Sequence, residues 1–495
     1  MIIQFDQLQF HTIRSIYGPM VQQIKALTFH SKMAVPSSIF FSIKGENHDG
    51  HEFIEDAIQR GAAAIVAERE DLAASLSETN PSCTILLVDD VRKTMAYFSK
   101  HFYQAADEKL NTIGITGTNG KTTVAAYVRS LLTLLGMPSS SIGTTGIWSS
   151  TKRIPYKKST PTTPESLDLH KIFKDLHEHG DQAVAMEVSS IALDQKRVEG
   201  LQFDVAIQTN ISPEHLEYHH TFDHYKKCKM RLFNQARSAV VNVDDEMGLD
   251  LVSNFDNRMV TYSLQPETEA DLKAIDLQLS GNGTSFTLLT NGQKFDVFVP
   301  VFGDYNVANV LSAMGTALLL GYTLPDVIQA LTQLESPEGR FQVIAGPSNE
   351  TIILDYAHTP VALTRLVDEV KKIEHRKLIV MIAGIGIRDF EKMPKMAKAI
   401  EGRADEIIVT VDHPGYHDPS IIVDKVMSGF SDPNVPHIHR TNTRREGVLK
   451  SLELGSQNDI ILLTSGCING AQIVRGNEIP HSDEDLIQMY YHISS

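Results

Sequence analysis

The chain has 495 residues, enough for about three domains of the usual size of about 150 residues. Its 45 Lys and Arg against 61 Asp and Glu give a formal charge of −16, which argues against a protein built mainly to hold the phosphates of DNA or RNA. Hydrophobic residues make up 42% and charged residues 21% of the chain, a composition that indicates a folded globular protein rather than a disordered one.

Cysteine usage and apolar runs bear on the compartment. Cys83, Cys228 and Cys467 occur without CxxC spacing, which argues against a disulfide framework or a zinc ribbon and favours a reducing compartment. The first residues lack the basic and apolar regions of a signal peptide. Residues 305–325 carry no charge, but their asparagines, glycines and helical apolar spacing indicate a buried helix rather than a membrane span. We therefore expect a cytoplasmic protein that does not insert into membranes.

Short apolar runs alternate with helical patterns along the chain. In the first part we predict a helix at 52–61, a polar linker at 105–111, and strands at 38–43, 62–67 and 84–88. A strand, a glycine-rich loop and a long helix follow at 113–135, with further strands at 183–188 and 203–208. Beyond a Pro/Gly cluster at 335–340, we predict strands at 352–355, 378–383, 406–411 and 459–464.

This alternation predicts an α/β protein with largely parallel sheets and three domains. The expected boundaries give an N-terminal α/β domain over 1–107, a central P-loop ATPase-like domain over 108–338 and a C-terminal Rossmann-like domain over 339–495.

The strongest functional signal is Gly114-Ile-Thr-Gly-Thr-Asn-Gly-Lys-Thr-Thr123, between a predicted buried strand and a helix. Backbone N–H groups of such a turn converge on phosphate oxygens, and the following helix contributes its positive end. Lys121 can reach terminal phosphates and the Thr122 hydroxyl can ligate Mg²⁺. The GxxxxGK[ST] pattern fails by one position, because Ile115 stands where its first glycine would be. An ordinary glycine turn is the alternative.

Several segments together resemble one family. Residues 116–123 are similar to the ATP loop of the Mur ligases, whose spacing departs from the P-loop pattern in the same way. Further matches are Thr162-Thr-Pro-Glu165, Glu187-Val-Ser-Ser190, Asn210-Ile-Ser-Pro-Glu-His215, Lys229, Asn306 with Asn309, Gly339-Arg340 and Asp355-Tyr-Ala-His358. The resemblance spans essentially the whole chain. It is greatest to the members that add the third amino acid to UDP-N-acetylmuramoyl-dipeptide.

The resemblance implies an ATP-dependent ligase of peptidoglycan synthesis that works through an acyl phosphate. Its implied cofactors are ATP, two Mg²⁺ ions and CO₂ held as a lysine carbamate. Making an amide from a carboxylate brings anions together, so cations and metal ions are needed to neutralise them. The implied catalytic residues are Lys121, Glu187, His215 and Lys229. The implied ATP-binding residues are Gly117, Thr118, Asn119, Gly120, Lys121, Thr122, Thr123, Asn306, Asn309, Arg340 and Asp355.

The resemblance further implies metal ligation by Thr122, Glu187, His215 and Lys229, the last as N6-carboxylysine. From the residues alone, Glu187 could equally be a solvated carboxylate at a strand end, and His215 one histidine among 20. Lys229 could belong to a basic helical face in 225–233. Carbamylation would convert that cation into an anion, which suits a metal bridge.

For the acceptor, the resemblance implies a UDP-sugar peptide that binds partly to the N-terminal domain. The implied contacts are Ser31, Thr162, Thr163, Ser189, Gln195 and Arg197. Arg197 suits a substrate carboxylate or phosphate. Residues 42–51 resemble the segment that binds the UDP end, although His30-Ser31-Lys32 stands where the family usually has Asp-Ser-Arg.

The amino-acid site departs from the family. The implied contacts are Arg388, Asp412 and Asn469. Diaminopimelate-adding members carry Asp-Asn-Pro-Arg, whose Arg reads the distal carboxylate, whereas this chain has Asp412-His-Pro-Gly415. The family's Lys-Gly-[His/Arg]-Glu is replaced by Gly466-Cys-Ile-Asn469, which removes a carboxylate. Diaminopimelate is therefore disfavoured, lysine is allowed, and a divergent member that uses another amino acid is preferred.

Two alternatives stay open. One is a related ligase with a folyl-polyglutamate or polyglutamate acceptor, against which the UDP-like segment at 42–51 argues. The other is a non-catalytic nucleotide-binding paralogue, which the altered segment 466–469 favours and the retained metal-site residues disfavour. In all cases we expect a monomer whose partners are small molecules and not nucleic acid.

Overall fold

The structure is a computed structural model. It describes residues 1–45, 48–156, 160, 162–280, 282–337, 339–387, 389–465 and 470–491. Its internal contacts define two compact units. The first comprises Met1–Lys121, Val128–Thr261 and Gly315–Tyr322, and the second comprises Thr122–Tyr127, Tyr262–Met314 and Thr323–Ser495.

The first unit begins with a five-stranded sheet. Its elements in chain order are β1 Ile2–Gln4, β2 Ile13–Tyr17, β3 Val21–Gln23, β4 Ala26–Thr28, β5 Ser38–Phe41, α1 Ile54–Gln59, β6 Ala62–Ala67, α2 Glu70–Thr79, β7 Thr84–Val88 and α3 Val91–Phe102. The sheet order is β2-β7-β6-β5-β4, with β4 to β7 parallel and β2 antiparallel at one edge, while β1 pairs with β3. Phe98 on α3 packs edge-on against Phe41 of β5 in its core. The predicted strands and helix of this part are confirmed.

A second sheet of the first unit carries the glycine-rich loop. Its elements are β8 Asn111–Thr116, α4 Lys121–Leu134, β9 Ser139–Gly143, β10 Gly146–Trp148, β11 Arg153–Ile154, α5 Ser166–Glu178, β12 Ala183–Glu187, α6 Ser190–Asp194, β13 Val205–Gln208, α7 Leu216–His219, α8 Phe222–Met230, β14 Ser238–Asn242, α9 Glu246–Asn254 and β15 Arg258–Ser263. Strand β8 lies between β12 and β13, and all three are parallel. Their carboxyl ends therefore share one edge, where open α/β sheets bind ligands.

The second unit contains an antiparallel meander and a mostly parallel sheet. Its elements are β16 Leu272–Ser280, β17 Gly283–Thr290, β18 Gln293–Val299, α10 Asp304–Leu319, α11 Leu324–Leu331, β19 Gln342–Ala345, β20 Thr351–Asp355, α12 Pro360–Val370, β21 Leu378–Ile385, α13 Met393–Ile400, β22 Glu406–Asp412, α14 Pro419–Met427, β23 Ile438–Arg440, α15 Arg444–Leu454, β24 Ile460–Thr464, β25 Ala471–Val474, β26 Asn477–Pro480 and α16 Asp483–Tyr491. Strands β16 to β18 form an antiparallel meander. The parallel sheet has the order β19-β20-β24-β21-β22-β23, with β19 antiparallel at the edge. All four strands predicted here are confirmed.

Two predictions outside the sheets have different outcomes. The uncharged stretch 305–325 contains α10, whose Val310, Ala313 and Met314 are buried, as predicted. In the described part of the chain, no helix combines the length and the apolar character needed to cross a membrane.

The segment 105–111 differs from the solvated linker that the sequence predicts. It contains a 3₁₀ turn whose Asp107 is buried and lies 2.9 Å from the Lys100 ammonium. The boundaries at 107 and 338 stay predictions.

Candidate active site

The glycine-rich loop joins β8 to α4 and needs glycine at two positions. Gly120 has φ +87°, in the left-handed region, and a Cβ on Gly117 would lie 1.9 Å from the Thr209 hydroxyl oxygen. Helix α4 begins at Lys121, and its N-cap residue, Gly120, has no side chain that could accept hydrogen bonds from the first N–H groups. Donors in this arrangement suit a phosphate. Thr122 and Thr123, in the first turn of α4, are largely buried.

The segment that follows β13 holds this loop in place. Asn119 N–H donates to Asn210 Oδ1 at 2.9 Å, and the Asn210 amide donates back to Asn119 O at 3.1 Å. Thr118 N–H donates to Asn210 O at 2.8 Å, and Thr209 Oγ1 donates to Asn119 O at 2.7 Å. The Thr118 hydroxyl donates to Ser212 O at 3.1 Å. The loop is thus shaped by its neighbour, a role for Asn210 that the sequence did not suggest.

Two lysines converge on one carbonyl of the loop. Lys121 Nζ donates to Gly117 O at 2.8 Å, and Lys229 Nζ, on α8, donates to the same oxygen at 2.7 Å. Lys229 is 1% exposed and lies 4.5 Å above the Tyr225 ring centroid. Burial, followed by the charge of Lys121, holds the pKa of Lys229 well below its usual value. A neutral amine is therefore favoured at this position.

Glu187 ends β12, next to the loop strand β8, and is buried. Its Oε1 accepts from Thr144 N–H at 2.7 Å and its Oε2 from the Thr144 hydroxyl at 3.3 Å. A Cβ on Gly143 would lie 2.1 Å from Oε1, so glycine is required there. Within the described residues the carboxylate has no ion-pair partner. Sequence reasoning missed Thr144. The signal was the Gly143-Thr-Thr-Gly146 turn that follows β9, the other neighbour of β12.

Most of the predicted acceptor residues form one network. Arg197 donates to Thr163 O at 3.0 Å and to Gln195 Oε1 at 2.7 Å, and Ser189 N–H donates to Thr163 Oγ1 at 3.1 Å. Burial lowers the pKa of Arg197. Thr163 Oγ1 donates to Glu187 O at 2.9 Å, which connects the network to the end of β12.

Glu165 balances the charge of this network. Its carboxylate lies 3.1 Å from Arg197 Nε on one side and 3.1 Å from Arg92 on the other. Glu165 belongs to the family match at 162–165, but the sequence indicated no role for it. Thr162 Oγ1 is 3.4 Å from the Thr144 hydroxyl.

Two further predicted residues of the first unit have other partners in the structure. His215 has φ +55°, its side chain is 47% exposed, and its described contact is Glu217 at 3.4 Å. In the part of the chain that the structure describes, no hydrogen bond or ion pair joins His215 to Glu187 or Lys229. The Ser31 hydroxyl bonds the Asp56 carboxylate and lowers its pKa.

In the second unit, two predicted nucleotide contacts lie at the start of α10. Asn306 Nδ2 donates to Phe302 O at 2.8 Å, and Asn309 Nδ2 donates to Asn306 Oδ1 at 3.2 Å. Both side chains are buried, and Phe302 stacks on Phe341 with ring centroids 5.6 Å apart. These hydrogen bonds therefore fix the orientations of the two side-chain amides.

Arg340 and Asp355 are also neighbours in the second unit. The Asp355 carboxylate accepts from Phe341 N–H at 2.9 Å and from Ala357 N–H at 2.8 Å. Burial raises the pKa of Asp355, and the charge of Arg340 opposes that shift. The Arg340 guanidinium lies 5.2 Å from the centroid of the Tyr356 ring. A cation and an acceptor for hydroxyl groups are thus held together.

Asp412, at the end of β22, is fully buried with one oxygen unsatisfied. Oδ1 accepts from Gln472 Nε2 at 2.7 Å and from His413 N–H at 3.0 Å. Among the described residues Oδ2 has no hydrogen-bond partner, and Arg444 Nη1 is 3.9 Å away. Gly415 has φ +62° and donates to Ile473 O at 3.0 Å. The predicted contacts Arg388 and Asn469 lie outside the described residues, as does the rest of 466–469.

The geometry can be compared with known proteins. Residues 115–317 match the family model "Mur ligase middle domain", residues 339–467 "Mur ligase, glutamate ligase domain", and residues 23–103 "Mur ligase family, catalytic domain". A Clostridium acetobutylicum protein, UDP-N-acetylmuramoyl-L-alanyl-D-glutamate–2,6-diaminopimelate ligase 2, is 33% identical over 472 residues, 95% of this chain and 96% of its own. The chain belongs to the Mur ligase family. The predicted family and the three-domain α/β fold are confirmed.

Solved Mur ligase structures agree with this assignment. A UDP-N-acetylmuramoyl-L-alanyl-D-glutamate–2,6-diaminopimelate ligase is 27% identical with a TM-score of 0.71, and the match covers 99% of both chains. Mycobacterium tuberculosis folylpolyglutamate synthase is 17% identical, covers 76% of this chain and 93% of its own, and has a TM-score of 0.59. At that identity the second likeness concerns the fold alone. The chain therefore belongs to a family of ligases.

Proposed function

We propose that this Mur ligase joins an amino acid to UDP-N-acetylmuramoyl-L-alanyl-D-glutamate, with hydrolysis of ATP to ADP and phosphate. The observation that carries the proposal is the shared contact of Lys121 and Lys229 with the Gly117 carbonyl, in a glycine-rich loop that leads directly into helix α4. The relatives that match along almost the whole chain are named for this acceptor.

Donors that suit ATP occur in each unit. The other N–H groups of residues 117–123 would hold the phosphates, because those of Thr118 and Asn119 already donate to Asn210, and Lys121 would neutralise the terminal phosphates. Asn306 and Asn309 offer amides that can pair with the edge of adenine. Arg340 would bind a phosphate and Asp355 the ribose hydroxyls.

The donors present fit Mg²⁺. Glu187 supplies a buried carboxylate without an ion-pair partner in the described residues, and Thr122 supplies a hydroxyl at the start of α4. His215 and a carbamylated Lys229 would serve a second ion. When bound, such ions neutralise charge that builds up as two anions approach.

The environment of Lys229 favours a carbamate. Its burial and its neighbour Lys121 favour the neutral amine, which is the form that attacks CO₂. The nitrogen adds to CO₂ and loses one proton, giving a carbamate with a single negative charge. The remaining N–H can keep the hydrogen bond to Gly117 O, now 2.7 Å long. An ammonium group at this position would repel Lys121, whereas the carbamate has a negative charge that attracts it.

The acceptor would bind along the network that contains Arg197. Arg197, Gln195, Ser189 and Thr163 are held by mutual hydrogen bonds, and Glu165 keeps the arginine oriented. Thr162, next to Thr163 in the chain, would contact the same acceptor. A guanidinium of this kind pairs with a carboxylate or phosphate. Ser31 would contact the nucleotide-sugar end.

The bond changes are balanced as follows. An oxygen of the D-glutamyl carboxylate attacks the γ-phosphorus of ATP, and ADP leaves. The amine of the amino acid then attacks the acyl carbon, and phosphate leaves as the amine loses a proton. Lys121 offsets charge on the transferred phosphoryl group.

The amino acid that is added is, in this proposal, not diaminopimelate. At Gly415 the backbone is left-handed, its N–H is bonded to Ile473 O, and a Cβ would lie 2.8 Å from Ile387. The family's arginine is absent from this position, so no guanidinium reads a distal carboxylate there. Asp412 Oδ2 is available for the ammonium of an amino acid.

The test is phosphate release by purified protein with ATP, Mg²⁺, the UDP-linked dipeptide and each common amino acid or diaminopimelate. We expect release that requires both acceptor and one amino acid other than diaminopimelate. Product mass spectrometry identifies the residue added. Release independent of every amino acid would contradict ligation, and release only with a folate or polyglutamate acceptor would favour the related activity. The cytoplasmic location of the protein and its monomeric state stay predictions.

A further inference from the structure

A cluster of nitrogen and sulfur ligands lies in the first unit. His219 is the last residue of α7, and His224 and Cys228 lie one helical turn apart on α8. One ligand atom from each of the three lies within 4.8 Å of the others. His219 and Cys228 are buried and His224 is partly exposed, so the cluster has a solvent-facing side.

The distances suit a tetrahedral ion. Zn–N bonds of about 2.0–2.1 Å and a Zn–S bond of about 2.3 Å place two nitrogens about 3.4 Å apart and nitrogen and sulfur about 3.6 Å apart. Here His219 Nδ1 is 3.1 Å from His224 Nδ1, and Cys228 Sγ is 4.0 Å from His224 Nδ1. Shifts of less than half an ångström would therefore bring these pairs to ligation distances.

The Nε2 atom of each ring has an oxygen neighbour outside the cluster. His219 Nε2 is 2.9 Å from Ser190 Oγ, and His224 Nε2 is 3.7 Å from Asp194 Oδ1. Metal-bound histidines usually direct the second nitrogen to such groups, which fixes the ring orientation. Asp194 is held by the Tyr218 hydroxyl at 3.1 Å and by Arg231 at 3.1 Å. His219 is therefore arranged to ligate through Nδ1, whereas His224 presents both ring nitrogens to Cys228 Sγ, Nε2 at 3.6 Å and Nδ1 at 4.0 Å.

We propose that His219, His224 and Cys228 bind one thiophilic divalent metal ion of the zinc class, with water as the fourth ligand. Two imidazoles and a thiol select such an ion over Mg²⁺, which prefers oxygen. On binding, the Cys228 S–H bond breaks, the sulfur bonds to the metal, and the proton leaves to solvent. The ion would join α7 to α8, the helix that carries Lys229.

The test measures metal binding and does not depend on the ligase reaction. Chelator-treated protein is dialysed against Zn²⁺ or Co²⁺ in excess Mg²⁺, and bound metal is counted by mass spectrometry. We expect one ion per chain and, with Co²⁺, a thiolate-to-cobalt charge-transfer band. Cys228→Ala and His224→Ala should each weaken binding by more than about 100-fold, beyond the usual effect of losing an outer partner. Cys83→Ala, a buried cysteine outside the cluster, is the matched control and should bind normally.

A second measurement uses the unaltered chain, in case a variant fails to fold. Zn²⁺ should protect Cys228 from alkylation at least about tenfold, as read from the Cys228 peptide, while the Cys83 peptide reacts equally with and without Zn²⁺. Unchanged metal binding in Cys228→Ala, or unprotected Cys228 in zinc-loaded protein, would overturn the proposal. Failure to bind Zn²⁺ in excess Mg²⁺ would do so too.

Discussion

The ammonium nitrogen of Lys229 lies 2.7 Å from the carbonyl oxygen of Gly117, which also accepts a hydrogen bond from Lys121 at 2.8 Å. Two cations of this kind on one oxygen repel one another, and Lys229 is removed from water as well. The arrangement therefore favours a chemical form of residue 229 that carries no positive charge.

Replacing Lys229 by alanine should reduce ligase activity at least about 1,000-fold. The variant lacks the proposed carbamate, the anion that would hold a metal ion beside the loop. Added formate or acetate should restore part of the activity by entering the vacated space as a carboxylate. Phosphate release with and without formate measures both effects. Lys227→Ala, on the same helix but exposed, should retain normal activity. Normal turnover by Lys229→Ala would refute the role of this lysine.

Asn210→Ala should weaken ATP binding about tenfold, because Asn210 makes three hydrogen bonds to Thr118 and Asn119 and its side chain makes two of them. Loss of side-chain bonds costs about 1–3 kcal/mol, and about 1.4 kcal/mol is tenfold in affinity. Calorimetric titration with a non-hydrolysable ATP analogue gives the affinity. Asn234→Ala, at an exposed position after α8, serves as the control. Equal affinity in both variants would show that the loop needs no support from Asn210.

Gly415→Ala should destabilise the protein more than Gly402→Ala. Both glycines are left-handed, at φ +62° and +69°, so each substitution costs about 1–2 kcal/mol of backbone strain. A Cβ at 415 would also lie 2.8 Å from Ile387 Cγ2, whereas nothing lies within 4 Å at 402. Urea denaturation gives the two free energies of unfolding. Equal losses would mean that Ile387 moves aside freely, leaving room for a larger side chain.

Asp483→Asn should reduce stability by about 3–5 kcal/mol, because it removes the charge of the carboxylate that lies 2.5 Å from the buried Arg444 guanidinium. Burial alone would raise the pKa of Asp483, but the charge of Arg444 and the bonds from His481 and Arg444 hold it well below its usual value. A depressed pKa stabilises the fold above the unfolded value of about 4 and this stabilisation is lost as the pH falls below it.

Thermal unfolding between about pH 7 and pH 3 measures this contribution. The unaltered chain should lose stability steeply at the acid end, and Asp483→Asn should lose less over the same interval. Asp485→Asn, exposed on the same helix, should follow the unaltered chain. Parallel acid profiles for all three proteins would show that the pair contributes no pH dependence.

Strands could be predicted closely where both faces of a sheet are covered. The run at 62–67 is apolar throughout and is the strand Ala62–Ala67, because burial on two sides leaves little place for polar alternation. The polar segment 105–111 could not be interpreted in this way. Asp107 is buried because Lys100, from the preceding helix, pairs with it, and that contact is not visible in composition.

The site was predictable as far as local motifs extend. The loop was evident because its glycines, lysine and threonines are contiguous, whereas the donors from Thr144 to Glu187 come from a segment 43 positions away. His219, His224 and Cys228 were missed because one ligand belongs to another helix and their spacing matches no short metal motif.

The support that Asn210 and Thr209 give to the loop has a consequence for the kinetics of association. Their hydrogen bonds fix the backbone shape of residues 118 and 119 through the protein's own groups. A triphosphate that arrives therefore has to order little of the polypeptide and mainly exchanges its own hydration for amide donors. Capture should accordingly be fast, and differences in affinity among nucleotides should lie chiefly in how quickly each departs.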